Sequence, residues 1–473
     1  MAAAKAGNIA PLDPTAAQPF YRQIYERFRG AITSGLLSPG ERIPSARALA
    51  KELGLARGTI EAAYALLMAE GYTQARGQAG TVVAPGLQPR ALAATPAIHA
   101  PDAGYAAGFL PDSIRPFQMG LPALDAFPRK IWARLGARCV RAMQPADMVP
   151  PAPQGLPALR TEIATYLHVA RGIDCMPSQV FITSGYRHSI ELLTHALLKK
   201  GDTVWLEDPG YPPTRELLAL MHLQAAPVPV DHQGLVVSAG IERAPRARAA
   251  VVTPAHQSPL SVSLSLPRRM ALLDWAAHRG AWVVEDDYDG EYRYVSRPLP
   301  ALKSLDRDGR VIYAGTFSKV LFPGIRLAYL VVPTSQVERF EQVCQAWVAG
   351  SPQLTQAIVT AFITEGHFAR HIQRMRKLYA ERRQAATAGL EQVLGKHLRI
   401  DFQPGGMHLI LRPRGRLSDR RLAARMRADG MYAEALANWA HDDNGAPALM
   451  LGFTNIDSPA TAEQLGRRIL KLL

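Results

Sequence analysis

The chain has 473 residues, a formal net charge of +14 and three cysteines. Its length exceeds what one hydrophobic core organises, so two or three domains are expected. No apolar run approaches the roughly 20 residues that a membrane span needs, and the N-terminus lacks an apolar segment of signal-peptide type. The cysteines are far apart and have no metal-ligand spacing, which is typical of a reduced cytosolic protein.

The positive charge indicates a polyanionic partner such as nucleic acid. A genome of high GC content also favours Arg, Ala and Pro, so composition alone leaves both explanations open. The distribution of motifs along the chain is needed to choose between them.

A loose tail over residues 1–18 precedes the first predicted domain, residues 19–84. Apolar residues at helical spacing, and Ser45 as a suitable N-cap, predict helices over 20–34, 46–53 and 57–70. The inner face of the third helix carries Ile60, Ala63, Tyr64 and Leu67. A hairpin with a basic, glycine-rich tip follows at 72–83. Two short helices joined by a glycine-containing turn and followed by a hairpin predict a winged helix-turn-helix.

This stretch resembles the GntR-type DNA-binding domain, notably in the turn Leu37-Ser38-Pro39-Gly40 and in Ile43-Pro44-Ser45-Ala46-Arg47. The resemblance implies DNA contacts from Arg47, Arg57, Gly58, Thr59, Tyr64, Arg76 and Gly77. Arg57 and Thr59 open the third helix, where a recognition helix enters the major groove. Arg76 at the wing tip suits a phosphate or the minor groove. The alternative is a helical dimerisation module with ordinary surface arginines.

Residues 85–116 are rich in proline and alanine and carry few charges, which predicts a partly extended linker. Its length would let the N-terminal domain reach another subunit. A larger module is predicted over 117–473, with a small C-terminal subdomain from about 350.

Several strand ends of the larger module carry polar residues. Ser184, Gly185, Tyr186 and Arg187 follow an apolar strand and precede a helix, an arrangement that suits an anion, although an ordinary strand-to-helix turn has the same pattern. Arg215 either faces a substrate cavity or caps a helix. His256, in the loop after another strand, either contacts a ligand or is structural.

Two further strand ends point to a cofactor. Residues 281–284 form an apolar strand that runs into an acidic segment containing Asp286 and Tyr288, and a carboxylate there needs a cationic partner. The next strand ends at Thr316, and Ser318, Lys319 and Arg326 follow. A lysine forms an imine with an aldehyde, while hydroxyls and a guanidinium hold a phosphate; together these favour pyridoxal 5'-phosphate (PLP).

The segments EDPGYP, TPAHQSP, EDDYDGEY, GTFSK and FPGIR occur in this order and resemble fold-type I aminotransferases. Together with the GntR-type stretch, the chain resembles the MocR/GabR regulators from about residue 18 to 473. The resemblance implies an α/β fold: an N-terminal winged helix-turn-helix, a large mixed-sheet α/β/α domain and a small C-terminal α+β domain. It also implies a Schiff base at Lys319, a pyridinium contact from Asp286, an O3' contact from Tyr288 with His256 nearby, ring stacking by Tyr211 and a phosphate ligand in Arg326.

The resemblance further implies a cytoplasmic transcription factor that holds PLP as an internal aldimine and senses a small amine or PLP itself. Domain-swapped homodimers would bind double-stranded DNA with paired half-sites.

Three segments depart from the aminotransferase pattern: Leu449-Met450-Leu451 lacks the carboxylate-clamping arginine, Val149-Pro150-Pro151 lacks a tyrosine, and His256-Gln257-Ser258 replaces an asparagine loop. Efficient turnover is therefore not expected, although residual half-transamination remains possible. An active aminotransferase with an accessory N-terminal domain, and a DNA-binding protein with an inert scaffold, are the alternatives.

Overall fold

A computed structural model describes residues 12–16, 18–77, 80–86, 114–294, 300–347, 350–401, 403, 405–441 and 446–473. The chain divides into two units, Met1–Asp112 and Ser113–Leu473. Most of the predicted tail, and the predicted linker from 87 to 113, lie outside the described residues.

The first unit is a three-helix core with a two-stranded wing. The Ser45 side chain accepts a hydrogen bond from the Ala48 amide, and Gly54 ends that helix in the left-handed conformation, so the predicted helix is confirmed. Apolar side chains of all three helices and of the second wing strand form one buried cluster. The elements are α1 (Phe20–Thr33), α2 (Ala46–Leu53), α3 (Arg57–Ala69) and the antiparallel strands β1 (Thr73–Ala75) and β2 (Thr81–Val83).

The second unit is built on an eight-stranded sheet of order β3-β10-β9-β8-β7-β4-β5-β6. Five strands that are neighbours in the sheet run parallel to one another: β9, β8, β7, β4 and β5. Strand β10 runs antiparallel to β9 and β3. Parallel strands need helical crossovers, and their carboxyl ends then meet along one edge. The strands are β3 (Val180–Thr183), β4 (Thr203–Asp208), β5 (Gln224–Asp231), β6 (Gly234–Leu235), β7 (Ala249–Val252), β8 (Trp282–Asp287), β9 (Val311–Thr316) and β10 (Ala328–Val331).

Helices cover this sheet and continue into a smaller subdomain. They are α4 (Arg129–Ala142), α5 (Pro157–Arg171), α6 (Tyr186–Leu197), α7 (Pro212–Leu220), α8 (Val237–Arg243), α9 (Leu266–Arg279), α10 (Leu302–Leu305), α11 (Val337–Trp347), α12 (Gln353–Thr364), α13 (His367–Leu394), α14 (Asp419–Ala428) and α15 (Pro459–Leu470). The sequence over 356–383 has a helical pattern throughout, but the structure divides this stretch between α12 and α13. The helix breaks before α13 because Gly366 adopts a φ of +70°.

The smaller subdomain has an antiparallel sheet of order β11-β12-β14-β13: β11 (Leu398–Ile400), β12 (His408–Pro413), β13 (Glu434–Ala435) and β14 (Leu449–Gly452). The boundary between the cores of the two subdomains differs from the boundary predicted at about residue 350. Val359 and Phe362 of α12 pack with the large sheet, whereas Met375 and later residues of α13 pack with the small one. Phe117, early in the unit, also belongs to the small core.

Candidate functional site: a cofactor cleft and a DNA-binding surface

Lys319 lies in the turn after β9, at the edge where the parallel strands end. Its Nζ donates a hydrogen bond of 2.9 Å to the carbonyl oxygen of Gly120. Burial lowers the pKa of the Lys319 amine below its usual value, while the Asp289 and Asp286 carboxylates oppose that shift. A lowered pKa increases the neutral fraction of the amine, which is the form that attacks an aldehyde.

Asp286, at the end of the neighbouring strand β8, is 9% exposed. Among the described residues, no donor makes a hydrogen bond to its carboxylate. Burial, followed by the charges of Asp287 and Glu207, raises the pKa of Asp286 well above its usual value. A buried carboxylate without a donor is costly, and a protonated ring nitrogen would supply one. The residue therefore fits the pyridine ring of PLP.

Two of the predicted phosphate residues, Gly185 and Arg326, are adjacent, and Gly185 precedes α6 with a φ of 118°. A Cβ atom at Gly185 would lie 3.4 Å from the guanidinium carbon of Arg326, so the Gly185 backbone and this guanidinium adjoin. The helix N-terminus and the guanidinium both favour an anion at this point.

The other residues predicted for the phosphate have contacts of their own. The Ser184 Oγ lies 3.0 Å from the His188 Nδ1, and the Thr316 Oγ1 accepts a hydrogen bond of 3.1 Å from the Ser318 amide. The exposed Arg187 forms an ion pair with Glu216 at 3.8 Å. The structure thus brings Gly185 and Arg326 together most directly.

An aromatic wall borders the cleft that Asp286 lines. The Tyr211 ring centroid lies 5.8 Å from that of Tyr186 and 5.6 Å from that of Trp439. The Tyr186 hydroxyl is 2.7 Å from the Thr214 hydroxyl. Asp286 and Arg215 also line this cleft, so of the two interpretations of Arg215 the cavity-facing one agrees with its position.

His256 is buried and contacts the predicted cofactor residue Tyr288. Its Nδ1 lies 3.0 Å from the Tyr288 hydroxyl and 3.1 Å from the Asp289 carboxylate. His408, on the small-subdomain strand β12, has its ring centroid 6.1 Å from that of His256. Burial and the nearby His256 lower the pKa of His408 to about 4.

The other acids of β8 and of the turn after it have separate structural partners. Asp287 accepts hydrogen bonds of 2.6 Å from both Arg171 and the Tyr313 hydroxyl. Arg171 also pairs with Glu291 at 2.8 Å. Glu285 accepts from the first amides of α10. Of the three acids of β8, Asp286 is the one that lines the cleft. The strand end accommodates several carboxylates because the other two have hydrogen-bond donors of their own.

Two site residues were not predicted from the sequence. Gly120 meets the Lys319 amine, and a Cβ atom there would lie 2.3 Å from Nζ. Glu207, at the end of β4, accepts hydrogen bonds from Thr253 and Gln257, and burial raises its pKa to about 7. The position of Glu207 at the end of a predicted strand could have identified it as a site residue. For Gly120 the sequence offered no such signal apart from the fact that it is a glycine.

In the first unit, the predicted DNA-binding residues Arg47, Arg57, Gly58 and Arg76 are exposed, and Thr59 is half-buried. Arg57 pairs with Glu61 at 2.7 Å along α3. Gly77 adopts a φ of +51° at the wing tip, of which residues 78 and 79 lie outside the described residues.

Tyr64, which the family resemblance assigns to the DNA surface, is buried instead. Tyr64 is 4% exposed, and its hydroxyl donates a hydrogen bond of 2.9 Å to the Pro44 carbonyl. It therefore belongs to the core of the winged helix, as its place on the inner face of α3 indicates.

The fold and the cleft together define a class of protein: a winged helix-turn-helix unit joined to an aminotransferase-type unit. Residues 20–83 match the family model of bacterial regulatory proteins of the gntR family, and residues 127–437 match that of aminotransferase class I and II. The chain belongs to the MocR-type transcriptional regulators, a PLP-dependent and DNA-binding family.

Individual relatives are consistent with this family. The probable rhizopine catabolism regulatory protein MocR of Rhizobium meliloti is 36% identical over 96% of this chain and 93% of its own length. The pyridoxine biosynthesis regulator PdxR of Corynebacterium glutamicum is 32% identical over 85% of this chain and 84% of its own. The solved structure of LysN, an alpha-aminoadipate aminotransferase from Thermus thermophilus, superimposes with a TM-score of 0.67 and 28% identity, covering 75% and 92% of the two chains.

Over the part of the chain that the structure describes, no helix is both long and apolar enough to cross a membrane.

Proposed function

We propose that this regulator changes its affinity for DNA according to what occupies the PLP cleft, with PLP itself or a small amine as the effector. The observation that carries the proposal is the convergence of three groups at one sheet edge: the Lys319 amine, the Asp286 carboxylate, which has no hydrogen-bond donor among the described residues, and the Gly185–Arg326 anion site. These groups match an aldehyde, a ring nitrogen and a phosphate on one ligand.

Each side chain has a proposed task toward the cofactor. Lys319 supplies the amine that bonds the aldehyde, and Asp286 accepts a hydrogen bond from the ring nitrogen. Tyr288, oriented by His256, contacts the phenolic oxygen, and Tyr211 covers the ring. When bound, PLP supplies an electrophilic carbon and an electron-withdrawing ring.

Two observations bear on the effector. The Rhizobium relative is named for rhizopine catabolism and the Corynebacterium relative for pyridoxine biosynthesis, so these names support a catabolised small molecule and a form of vitamin B6 as the two effector classes. In β14, Met450 is fully buried beside Ile410 and Ala448, and the strand has no arginine to clamp a carboxylate. This favours PLP, or an amine without an α-carboxylate, over an α-amino acid.

The DNA partner follows from the gntR-family match, and the finer arrangement is proposed. We propose a domain-swapped homodimer in the cytoplasm, because a two-fold dimer presents two recognition helices to paired half-sites.

The test is a DNA-binding titration on the chain's own upstream region, with the protein free of PLP, loaded with PLP, and loaded with PLP plus candidate amines. A change in affinity or DNA bending on loading supports PLP as the effector. A change only when an amine is added supports an amine. An affinity that is the same under all three conditions refutes the proposal.

An active aminotransferase is the second candidate, favoured by the 28% identity to the Thermus enzyme. It predicts repeated turnover with an amino donor and a 2-oxo acid, and no dependence of DNA affinity on PLP. Amino-acid consumption measured over many equivalents of protein distinguishes it from a single half-reaction.

A further inference from the structure

One ring nitrogen of His256 is shared by two partners. The His256 Nδ1 lies 3.0 Å from the Tyr288 hydroxyl and 3.1 Å from the Asp289 carboxylate, and His256 and Asp289 are both buried. Among the described residues, no other donor makes a hydrogen bond to the Asp289 carboxylate. A ring nitrogen carries either a proton or a lone pair, so the contact with Asp289 determines the contact with Tyr288.

The carboxylate decides where the proton of the imidazole lies. An ionised carboxylate only accepts hydrogen bonds, so its contact with Nδ1 requires a proton on that nitrogen. The opposite nitrogen, Nε2, is buried and has no hydrogen-bond partner among the described residues. A proton on Nε2 alone would leave a buried N–H without an acceptor and a lone pair facing Asp289, and both are costly. The ring with its proton on Nδ1 avoids both costs.

The ring is also held in this orientation. Gly406, from the small subdomain, adopts a φ of +85°, and a Cβ atom there would lie 2.1 Å from Cε1 and 2.6 Å from Nε2 of His256. The Gly406 amide donates a hydrogen bond of 2.9 Å to the Tyr292 carbonyl, and the Tyr294 hydroxyl donates one of 2.7 Å to the Gly406 carbonyl. This backbone lies against the Cε1–Nε2 edge, so Nδ1 remains the nitrogen that faces Tyr288.

The Tyr288 hydroxyl then has its proton free for the cofactor cleft. Burial, followed by the charge of Asp289, raises the pKa of Tyr288 well above its usual value, so the hydroxyl keeps its proton at neutral pH. With a proton on the His256 Nδ1, the hydroxyl oxygen accepts on that side and its own proton points elsewhere. Ser258, which also interacts with this hydroxyl, lines the cleft.

We propose that Asp289 is a positioning residue for the cofactor: it keeps a proton on the His256 Nδ1 and thereby directs the Tyr288 proton to the phenolic oxygen of PLP. Asp289 acts through His256 and Tyr288 rather than by contact with the cofactor. The inference rests on the proposed function, since it takes from it that Tyr288 contacts the phenolic oxygen. It adds the direction of that hydrogen bond, with Tyr288 as the donor, which favours the ionised form of the oxygen.

The first experiment uses the full-length protein without PLP. Nitrogen-15 NMR of labelled histidine distinguishes a protonated ring nitrogen from a bare one, and His256→Gln identifies the His256 signals by their loss. We expect the wild-type Nδ1 to be protonated at neutral pH, and a bare Nδ1 would overturn the proposal. Asp289→Leu removes both carboxylate oxygens at similar side-chain size, so part of the His256 population should move its proton to Nε2. A spectrum of Asp289→Leu identical to that of wild type would also overturn the proposal.

The second experiment measures the pH midpoint of the visible absorbance of the PLP-loaded protein, which follows the ionisation of the bound chromophore. Tyr288→Phe removes the hydrogen bond to the ionised oxygen, so its midpoint should rise by roughly 1–2 pH units. Asp289→Leu should also raise the midpoint, by a smaller amount. The sign separates two effects, because loss of a nearby negative charge by itself favours the ionised form and would lower the midpoint.

Matched variants separate the hydrogen bond from the charge. Asp289→Asn removes the charge but keeps an oxygen that accepts from Nδ1, so its midpoint should not rise. The exposed Asp308→Leu is the control for loss of an acid and should behave as wild type. In a double-mutant cycle, Asp289→Leu should add no rise to Tyr288→Phe, because both act through one hydroxyl. An equal rise with and without that hydroxyl would refute the route through Tyr288.

The other titratable groups around these three side chains are the same in all variants. Those whose charge acts on Tyr288, Asp289 or His256, or is affected by them, are Glu207, Asp286, Lys319, Tyr294 and His408. A difference in midpoint between Asp289→Leu and Asp289→Asn therefore measures the acceptor at position 289.

Failure of the inference and failure of the proposed function give different results. If wild type acquires no visible absorbance with PLP, both fail. If wild type acquires it but Asp289→Leu lowers the midpoint or leaves it unchanged, the positioning role of Asp289 is refuted and the proposed function stands.

Discussion

Replacing Asp286 by asparagine should weaken PLP binding and stabilise the PLP-free protein at the same time. The carboxylate is 9% exposed and has no donor among the described residues, so its charge is costly in the free protein. Its loss should stabilise that form by about 1 kcal/mol at neutral pH, because desolvating an ion costs more than desolvating an amide. Loss of the charged hydrogen bond to the ring nitrogen should cost about 1.5–3 kcal/mol, or roughly 10- to 150-fold in Kd.

The pH dependence of this stabilisation has a definite sign. The pKa of Asp286 is raised in the folded state, so the carboxylate destabilises the fold above its unfolded pKa. The extra stability of Asp286→Asn relative to wild type should therefore shrink as the pH falls toward the pKa of Asp286 in the unfolded chain. Denaturant unfolding of the PLP-free proteins at several pH values, and PLP titration followed by visible absorbance, measure the two effects.

The neighbouring Asp287 is the matched control. Arg171 and Tyr313 donate to it, and Arg171 holds its pKa below the usual value against the effect of burial. Asp287→Asn leaves the buried Arg171 without one of its partners and should destabilise the protein by about 3–5 kcal/mol. If Asp286→Asn destabilises the free protein as Asp287→Asn does, or leaves the Kd for PLP unchanged, the assignment of Asp286 is wrong.

Four further outcomes are expected. Lys319→Ala should abolish the visible absorbance that PLP acquires on the protein, and unchanged spectra would remove the lysine from the chemistry. Tyr64→Phe should lower the free energy of unfolding by about 1 kcal/mol without changing base preference, and a change in preference would restore Tyr64 to the DNA surface. Arg76→Ala should reduce the slope of log affinity against log salt by about 0.9 if this arginine neutralises one phosphate. The pKa of His408 is lowered to about 4 from an ordinary 6.5, so the free energy of unfolding of wild type should fall by about 2 kcal/mol between pH 7 and pH 5. His408→Gln should not show this fall in stability. An equal fall in the variant and in wild type would contradict the assignment.

Strand periodicity explains which parts of the site were predictable. Lys319 and Asp286 each follow an apolar strand, and the carboxyl ends of parallel strands share one edge, so their proximity follows from the pattern alone. Tyr64 shows the limit of a family resemblance: the helical period of α3 places it inside with Ile60 and Leu67, and this packing outweighs the motif. The break at Gly366 lies between two stretches that are both helical, so the helical pattern alone does not locate it.

Contacts between distant residues were beyond the sequence. Gly120 and Lys319 are 199 positions apart, and Arg171 and Asp287 are 116 apart. Neither pair follows from a local period or a turn motif, because only the tertiary fold brings segments that precede β3 to the ends of β8 and β9. The sequence therefore predicts the residues that face the ligand better than the residues that hold them in place.

The two adjacent aspartates of β8 show how folding and ligand binding are kept apart on one strand. Successive side chains point to opposite faces, so Asp287 reaches the Arg171 network while Asp286 reaches the cleft. Burial opposes ionisation of both Asp286 and Lys319 in the free protein. A ligand that pairs with Asp286 and bonds Lys319 relieves both costs, so part of its binding free energy comes from groups that the fold holds in an unfavourable state. A sensor needs such a difference between its free and loaded states, and these buried groups provide it.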